Sequence, residues 1–542
     1  MNPEYEAKVD NTEVEAKSTP RMRRRWFPFV WTGLIVGTCV LFQFGEADQD
    51  AKNFSLTVGP IVLVLGLSIW FIRSTAFTRP VRWCVGLAPW MAALAFFSAV
   101  ELINNGNMGF IGWRWRWAAE HDQQLDVPDA TTVISDWEET GRDYPRFLGN
   151  GFWAQVDGVE LDVDWGTKPP RELWRREIGA GWSGFALVGH YAITQEQRGP
   201  NELVTCYRLS TGEIIWSHAD PVRFDPIGSG AVGGIGPRAT PTVYGGRVIA
   251  QGATGIVNCL EATTGKVIWA HDTLKENETG NVMWGKACSP LVLKPDERAE
   301  IVVVSVGAAN GRSLVAYDLE NGNEVWAGGD HRSSYASPVA ANLAGQLQVL
   351  SVNEDYVTGH RASDGSVLWE YPWPGNSDTD ATCSQPVPLP DDRVFLSKGY
   401  GVGSMILQLE AVEGGFVRVE PVWPGIKRVM KTKMGNVVIR DGFVYGLDGG
   451  LMQCIELATG KSQWKRRRSP PIGHGQIILI GDVILVLSET GELLLVEATP
   501  EAYRELSTQR VLPAEQITWN NPAFSPPYLL LRNAQEVACY EL

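Results

Sequence analysis

The sequence predicts an all-β, eight-bladed β-propeller of four-stranded blades, preceded by three transmembrane α-helices. Three observations carry that prediction. A glycine is followed four residues later by a tryptophan at Gly212/Trp216, Gly265/Trp269, Gly322/Trp326, Gly365/Trp369 and Gly460/Trp464. The surrounding text nearly repeats, as YRLSTGEIIW, CLEATTGKVIW, AYDLENGNEVW, GHRASDGSVLW and CIELATGKSQW. The first hundred residues hold three uncharged stretches, whereas nothing after residue 146 sustains apolar positions at helical spacing.

In chain order, a disordered cytoplasmic tail is expected over 1–25, because its first twenty residues carry almost no large apolar side chains. Residues 26–103 read as a membrane anchor of three transmembrane helices. The segments 26–44, 54–72 and 84–100 lack charge, and each is long enough to cross a hydrocarbon core of about 30 Å. The first is too long for a signal-peptide core and lacks an A-x-A-like site. The basic RMRRR, the acidic loop GEADQDAKN and the arginines 73, 79 and 82 put the N-terminus in the cytoplasm and the propeller outside it. Residues 104–145 read as an interfacial segment and polar linker, in which Trp113, Trp115 and Trp117 alternate with Arg114 and Arg116 as an interfacial belt.

The propeller is expected over 146–542. Trp174 and Trp423 fit the tryptophan series without the glycine, and successive members of 174, 216, 269, 326, 369, 423 and 464 lie 42, 53, 57, 43, 54 and 41 residues apart. That period is the size of a four-stranded blade. The glycine permits the positive φ of a hairpin turn, and the tryptophan packs between blades while its indole NH finds a backbone acceptor. The last segment supplies only three strands, so residues 171–178 are expected to complete that blade and close the ring.

The unit x-x-L/D-x-x-T-G-x-x-x-W resembles the repeat of the PQQ-type (pyrroloquinoline-quinone) eight-bladed propellers, over roughly 145–542. DYPRFLGNG at 143–151 and GWRWRW at 112–117 also resemble membrane-anchored bacterial proteins of this group. The superfamily includes quinoprotein dehydrogenases and non-enzymatic scaffolds such as BamB. Among its dehydrogenases the resemblance implies PQQ with calcium, ligating Glu and Asn, a catalytic Asp, a stacking Trp and often adjacent cysteines. Adjacent cysteines are absent here, and no residue matches the other motif positions; Trp284 is one aromatic that could stack.

Cys206, Cys259, Cys454 and Cys539 recur at one strand position, too far apart for disulfides, and read as buried free thiols. Gly228, Gly230 and Gly233 spell G-x-G-x-x-G, but a strand pair follows where a dinucleotide loop needs a helix. KRRR at 465–468 reads as a solvated loop between blades, since a chain of net charge −15 gives no support for nucleic-acid binding.

The lead-in segments to the innermost strands ring the channel mouth, and there Arg238, Lys286, Tyr335, Lys433, His474 and Asn521 are the candidate binding residues for an anionic group. No catalytic residue and no metal ligand is assigned. The expected role is a non-catalytic scaffold for envelope proteins, anchored in the bacterial inner membrane with its propeller in the periplasm. A PQQ-dependent dehydrogenase of alcohols or sugars is the alternative, and a small-anion sensor the third reading.

Overall fold

The computed structural model describes residues 21–44, 49–74, 77–104, 110–151, 153–226, 233–297, 299–375 and 381–542. The tail 1–20, part of the acidic loop, and Gly228 and Gly230 of the G-x-G-x-x-G stretch lie outside the described residues. Two compact units follow one another, Met1–Arg116 and Trp117–Leu542.

In the first unit, α1 (Arg21–Phe44), α2 (Gln49–Arg73) and α3 (Arg79–Ala99) are each long and apolar enough to cross a membrane. Their apolar side chains point outward, with Phe29, Leu41 and Leu94 all exposed. Polar groups face neighbouring helices: Trp31 Nε1 donates to the Val62 carbonyl, and Trp90 Nε1 donates to Ser68 Oγ. Pro28, Pro60 and Pro89 sit inside the helices without ending them. A hairpin of β1 (Val100–Asn104) and β2 (Phe110–Trp115) continues directly from α3.

The second unit is the eight-bladed propeller. Its blades span 186–220, 242–272, 291–328, 339–372, 387–421, 438–466 and 476–510, and the eighth combines 523–541 with Arg171–Glu177. Strands within a blade pair antiparallel in chain order, and the first strands of neighbouring blades touch around the axis. The ring closes as expected: Arg171–Glu177 pairs with Glu536–Glu541, placing Trp174 opposite Cys539. Blade 7 gains a fifth strand, Gln155–Val156, parallel to Gln476–Ile480.

The repeat works between copies. Gly212, Gly265, Gly322 and Gly365 have φ of 71°, 68°, 74° and 74°. A Cβ at each would meet the ring of the preceding blade's tryptophan: Trp174, Trp216, Trp269 and Trp326. Glycine therefore serves two purposes, a left-handed turn and a bare surface for an indole. The indoles also donate across the junction, Trp174 to Leu209 O, Trp216 to Ala262 O, Trp269 to Leu319 O, Trp326 to Ala362 O, Trp423 to Ala458 O and Trp464 to Thr499 O, at 2.8–3.1 Å.

Trp369 departs from this pattern, donating to Gln348 Oε1 of its own blade at 2.7 Å. Blade 5 offers it no T-G turn, and Gly359 lies directly opposite it. Opposite Trp216, Trp269, Trp464, Trp174 and Trp326 stand Cys206, Cys259, Cys454, Cys539 and Ala316. The four cysteines are thus small fillers beneath indoles, buried and free. Burial pushes the thiols of Cys259, Cys454 and Cys539 up to about 12, so they stay neutral.

Two stretches differ from expectation. KRRR belongs to the outer strand Ser462–Arg466 and its end, where Lys465 pairs with Asp448 and Arg468 with Glu492 and Glu505. The polar linker lies against the propeller from residue 120 onward, where Glu120 and Asp122 pair with Arg223. Thr132 N donates to Ile215 O and Ile134 N to Thr263 O, while Ile134 is buried. This backbone covers the open edge of blade 1, which would otherwise expose unpaired N–H and C=O groups.

Candidate functional site

The lead-in segments form one girdle around the axis. At equivalent positions stand Gly184, Thr240, Ser289, Ser337, Gln385, Asn436, Gln476 and Asn521. Gly184 N donates to Thr240 Oγ1, Thr240 N to Ser289 Oγ, and Ser289 N to Ser337 Oγ, at 2.8–3.0 Å. Gln385 Nε2 reaches Ser337 O at 3.4 Å, and Gln385 N donates to Asn436 Oδ1 at 2.8 Å. Gln476 Nε2 bridges Met434 O and Trp519 O, and Asn520 Nδ2 returns to Gly181 O and Ser183 O. Every junction of the eight-bladed ring is joined in this way. Short neutral side chains suit the position, because a buried charge so close to its neighbours would need a counter-ion.

The candidate cations are drawn into this framework. Lys286, only 1% exposed, donates to Val306 O at 2.6 Å and Ser333 Oγ at 2.9 Å. Burial lowers its ammonium to about 8. Arg238 lies over the Phe224 ring and donates to the carbonyls of Gly233, Gly234 and Gly236. Desolvation lowers it to about 10, with Glu202 acting in the opposite sense. His474 is buried, and desolvation reinforced by Lys433 pushes it down to about 3, which keeps it neutral. Its backbone N donates to Glu489 Oε2 at 3.4 Å. Lys433 stands 5.0 Å from the Tyr400 ring centroid, and Asn521 lies beside Gly184.

What the structure gathers at the mouth is an aromatic rim. Trp182 and Trp519 approach with centroids 4.9 Å apart, and Trp284 lies 5.5 Å from Tyr335. Trp182 Nε1 donates to Gly233 O at 2.6 Å and Trp519 Nε1 to Glu489 Oε1 at 2.9 Å. Trp182, Trp284 and Trp519 stay half-buried, whereas Lys286 and Tyr335 are buried. Trp182 and Trp519 carry no repeat signature, so the sequence offered only their nearness to the lead-in segments.

The DYPRFLGNG stretch and the residues that follow it bond to innermost strands of the propeller. Tyr144 exchanges backbone bonds with Leu187, Val243 N donates to Pro145 O, and Leu479 N donates to Ala154 O. These partners lie in the first strands of blades 1, 2 and 7. Gly149, with φ of 80°, seats the buried Tyr144 ring where a Cβ would stand.

A family model described as outer membrane protein assembly factor BamB, of the PQQ-repeat type, matches residues 168–278 and 273–466. The chain belongs to this family. Its propeller is both BamB-like and like that of the PQQ dehydrogenases. Quinohemoprotein alcohol dehydrogenase ADH-IIG of Pseudomonas putida is 29% identical over 148 residues, 25% of this chain and 19% of that enzyme. The chain therefore spans about a fifth of the length of the curated relative it matches. Among solved structures, BamB from Moraxella catarrhalis aligns at 14% identity and TM-score 0.47, over 69% of this chain and 100% of that one. The structure of ADHIIG from P. putida HK5 aligns at 12% identity and TM-score 0.48, over 77% and 83%.

The mouth residues do not fit a calcium–quinone pair. Calcium takes six to eight oxygens, carboxylates prominent among them. Glu489 brings a carboxylate to the rim, and its two oxygens accept from Trp519 Nε1 and His474 N; the Glu202 carboxyl near Arg238 accepts from Ala253 N and Thr254 Oγ1. Arg238 and Lys286, which could answer an anionic cofactor, point at backbone carbonyls.

Proposed function

We propose that the protein is a membrane-anchored, non-catalytic propeller of the bacterial envelope. Its channel mouth captures a segment of a partner protein on the periplasmic side. One observation carries this reading: Lys286 and Arg238 are bonded inward to backbone carbonyls, beside a half-exposed tryptophan rim. Trp182, Trp284 and Trp519 are large amphipathic surfaces of the kind that dominate protein contacts. The girdle holds them on a rigid ring, so little ordering entropy is lost on capture. Three helices long and apolar enough to cross a membrane support the anchor, and the basic N-terminal flank supports a propeller outside the cytoplasm.

The test pairs two measurements on the full-length protein. Titration with PQQ and calcium should give no binding and no dye-linked oxidation of alcohols or sugars; activity there establishes the dehydrogenase reading instead. Crosslinking in intact envelopes should capture one recurrent protein partner, and Trp519→Ala or Trp182→Ala should reduce that capture by tenfold or more, about 1.4 kcal/mol. Undiminished capture by both variants removes the mouth from consideration. A reporter fused after Leu542 that is active in the cytoplasm contradicts the orientation.

A further inference from the structure

The hairpin of β1 and β2 combines features that the propeller does not explain. It grows out of α3 without a break, and its two strands pair Val100 with Trp115, Glu101 with Arg114, and Leu102 with Trp113. Alternation along β2 puts Trp113 and Trp115 on one face and Arg114 on the other. The tryptophan rings meet edge to face at 5.2 Å, and Trp113 also meets Phe96 of α3 at 5.9 Å. Both indoles are exposed, at 47% and 44%. They continue the outward apolar side chains at the end of α3: Met91, Leu94, Phe96 and Phe97 are exposed as well.

The arginines are directed differently. Arg114 donates from Nε to Glu101 Oε2 at 2.9 Å, and its Nη2 lies 2.9 Å from the same oxygen. The pair is neutral as a unit. Arg116 donates from Nη2 to Phe97 O at 3.3 Å, and its backbone N donates to Ala99 O at 3.0 Å. It thereby caps carbonyls that the end of α3 would leave without partners, and places a positive charge at the negative end of the helix dipole. A basic run in the sequence is therefore a salt bridge and a helix cap in three dimensions.

We propose that this hairpin is an aromatic membrane-interface anchor. It seats Trp113 and Trp115 among the glycerol and carbonyl groups of phospholipids, with no requirement for anionic headgroups. Tryptophan suits that depth because its ring is apolar and its indole NH needs an acceptor. The partner is the bilayer because the aromatic face is continuous with the exposed face of a helix already of membrane-crossing length. The proposal rests on the membrane-anchor reading, and the experiment separates the two.

p-Benzoylphenylalanine is placed at Trp115, at Trp113 or at Leu94 of α3 in the full-length protein. The protein is reconstituted in vesicles of phosphatidylcholine alone or mixed with phosphatidylglycerol, and adducts are identified by mass spectrometry after irradiation. Lipid adducts are expected at all three positions, with the same yield in both vesicle types. Attachment through arginines would instead change by roughly fivefold per arginine with anionic lipid, and such dependence overturns the charge-independent mechanism. Adducts at Leu94 but at neither tryptophan, or tryptophan adducts to protein, overturn the hairpin as a lipid anchor. No adduct at Leu94 overturns the membrane-anchor reading and the proposal with it. The double variant Glu101→Gln/Arg114→Gln, carrying the probe at Trp115, should keep its lipid adducts undiminished; a loss assigns the attachment to the ion pair.

Discussion

The outer and inner rings of the propeller solve the same problem with different chemistry. Outside, six of the eight junctions are held by one large indole lying on the next blade, from Trp174 to Trp464, while Trp369 bonds within its own blade and the outer strand of blade 7 carries no tryptophan. Inside, each junction is held by a short polar contact whose residue type changes from blade to blade, from Thr240 and Ser289 to Gln385 and Asn436. The outer position has room for one bulky answer. The inner position faces a crowded axis, where any small or amide side chain that reaches its neighbour will serve. Periodicity is therefore strong where area is buried and weak where only a hydrogen bond is required.

The largest expected effect breaks the outer ring. Trp216→Ala removes a fully buried indole and its bond to Ala262 O, and should cost about 3–5 kcal/mol in chemical denaturation. A cost below that of an ordinary surface substitution would show that the junctions do not depend on this contact. The next effect sharpens the exception at Trp369. Trp369→Phe leaves Gln348 Oε1, inside a fully buried side chain, without its donor, and should cost about 1–3 kcal/mol. Adding Gln348→Leu should recover part of that loss. Trp326→Phe, whose acceptor is a backbone carbonyl of the next blade, should gain nothing from the same second change.

pH probes the buried titrating groups. His474 is neutral when folded down to about pH 3, whereas unfolded it takes up a proton near its ordinary value of 6.5. The unfolded state therefore binds more protons in that window, and stability falls on acidification by at most about 1.4 kcal/mol per pH unit. Glu202 has the opposite sign. Burial raises it to about 7 from 4.5, so the folded state binds more protons there and stability falls as pH rises through that range. His474→Gln should expose the falling limb and Glu202→Gln the rising one, read as melting temperature against pH; parallel profiles for both variants would refute these assignments. The smallest effect belongs to a single girdle bond. Ser289→Ala, losing the acceptor of Thr240 N, should cost about 1 kcal/mol.

Much of the fold was legible for the reason that makes the outer ring strong. The T-G-x-x-x-W spacing encodes a turn and an indole whose places recur, so blade number and the closure through Trp174 follow from it. The mouth was less legible. Lys286 and Arg238 drew attention because charge stands out in a lead-in segment, yet both are folded inward onto carbonyls. The girdle residues stood in the same segments, as the T-P of 240–241, the S-P of 289–290 and the Q-P of 385–386. Their role rests on reaching the next blade some fifty residues away, which local text does not express.

The sequence by itself determined the repeat, the closure of the ring and three apolar helices, because each depends on a pattern that is local or periodic along the chain. Only the tertiary structure decided which side chains face the mouth, that the linker covers the edge of blade 1, and that the arginines beside Trp115 are an ion pair and a helix cap. Those outcomes depend on which group finds a partner across space, and burial sets a free-energy cost for every charge that does not.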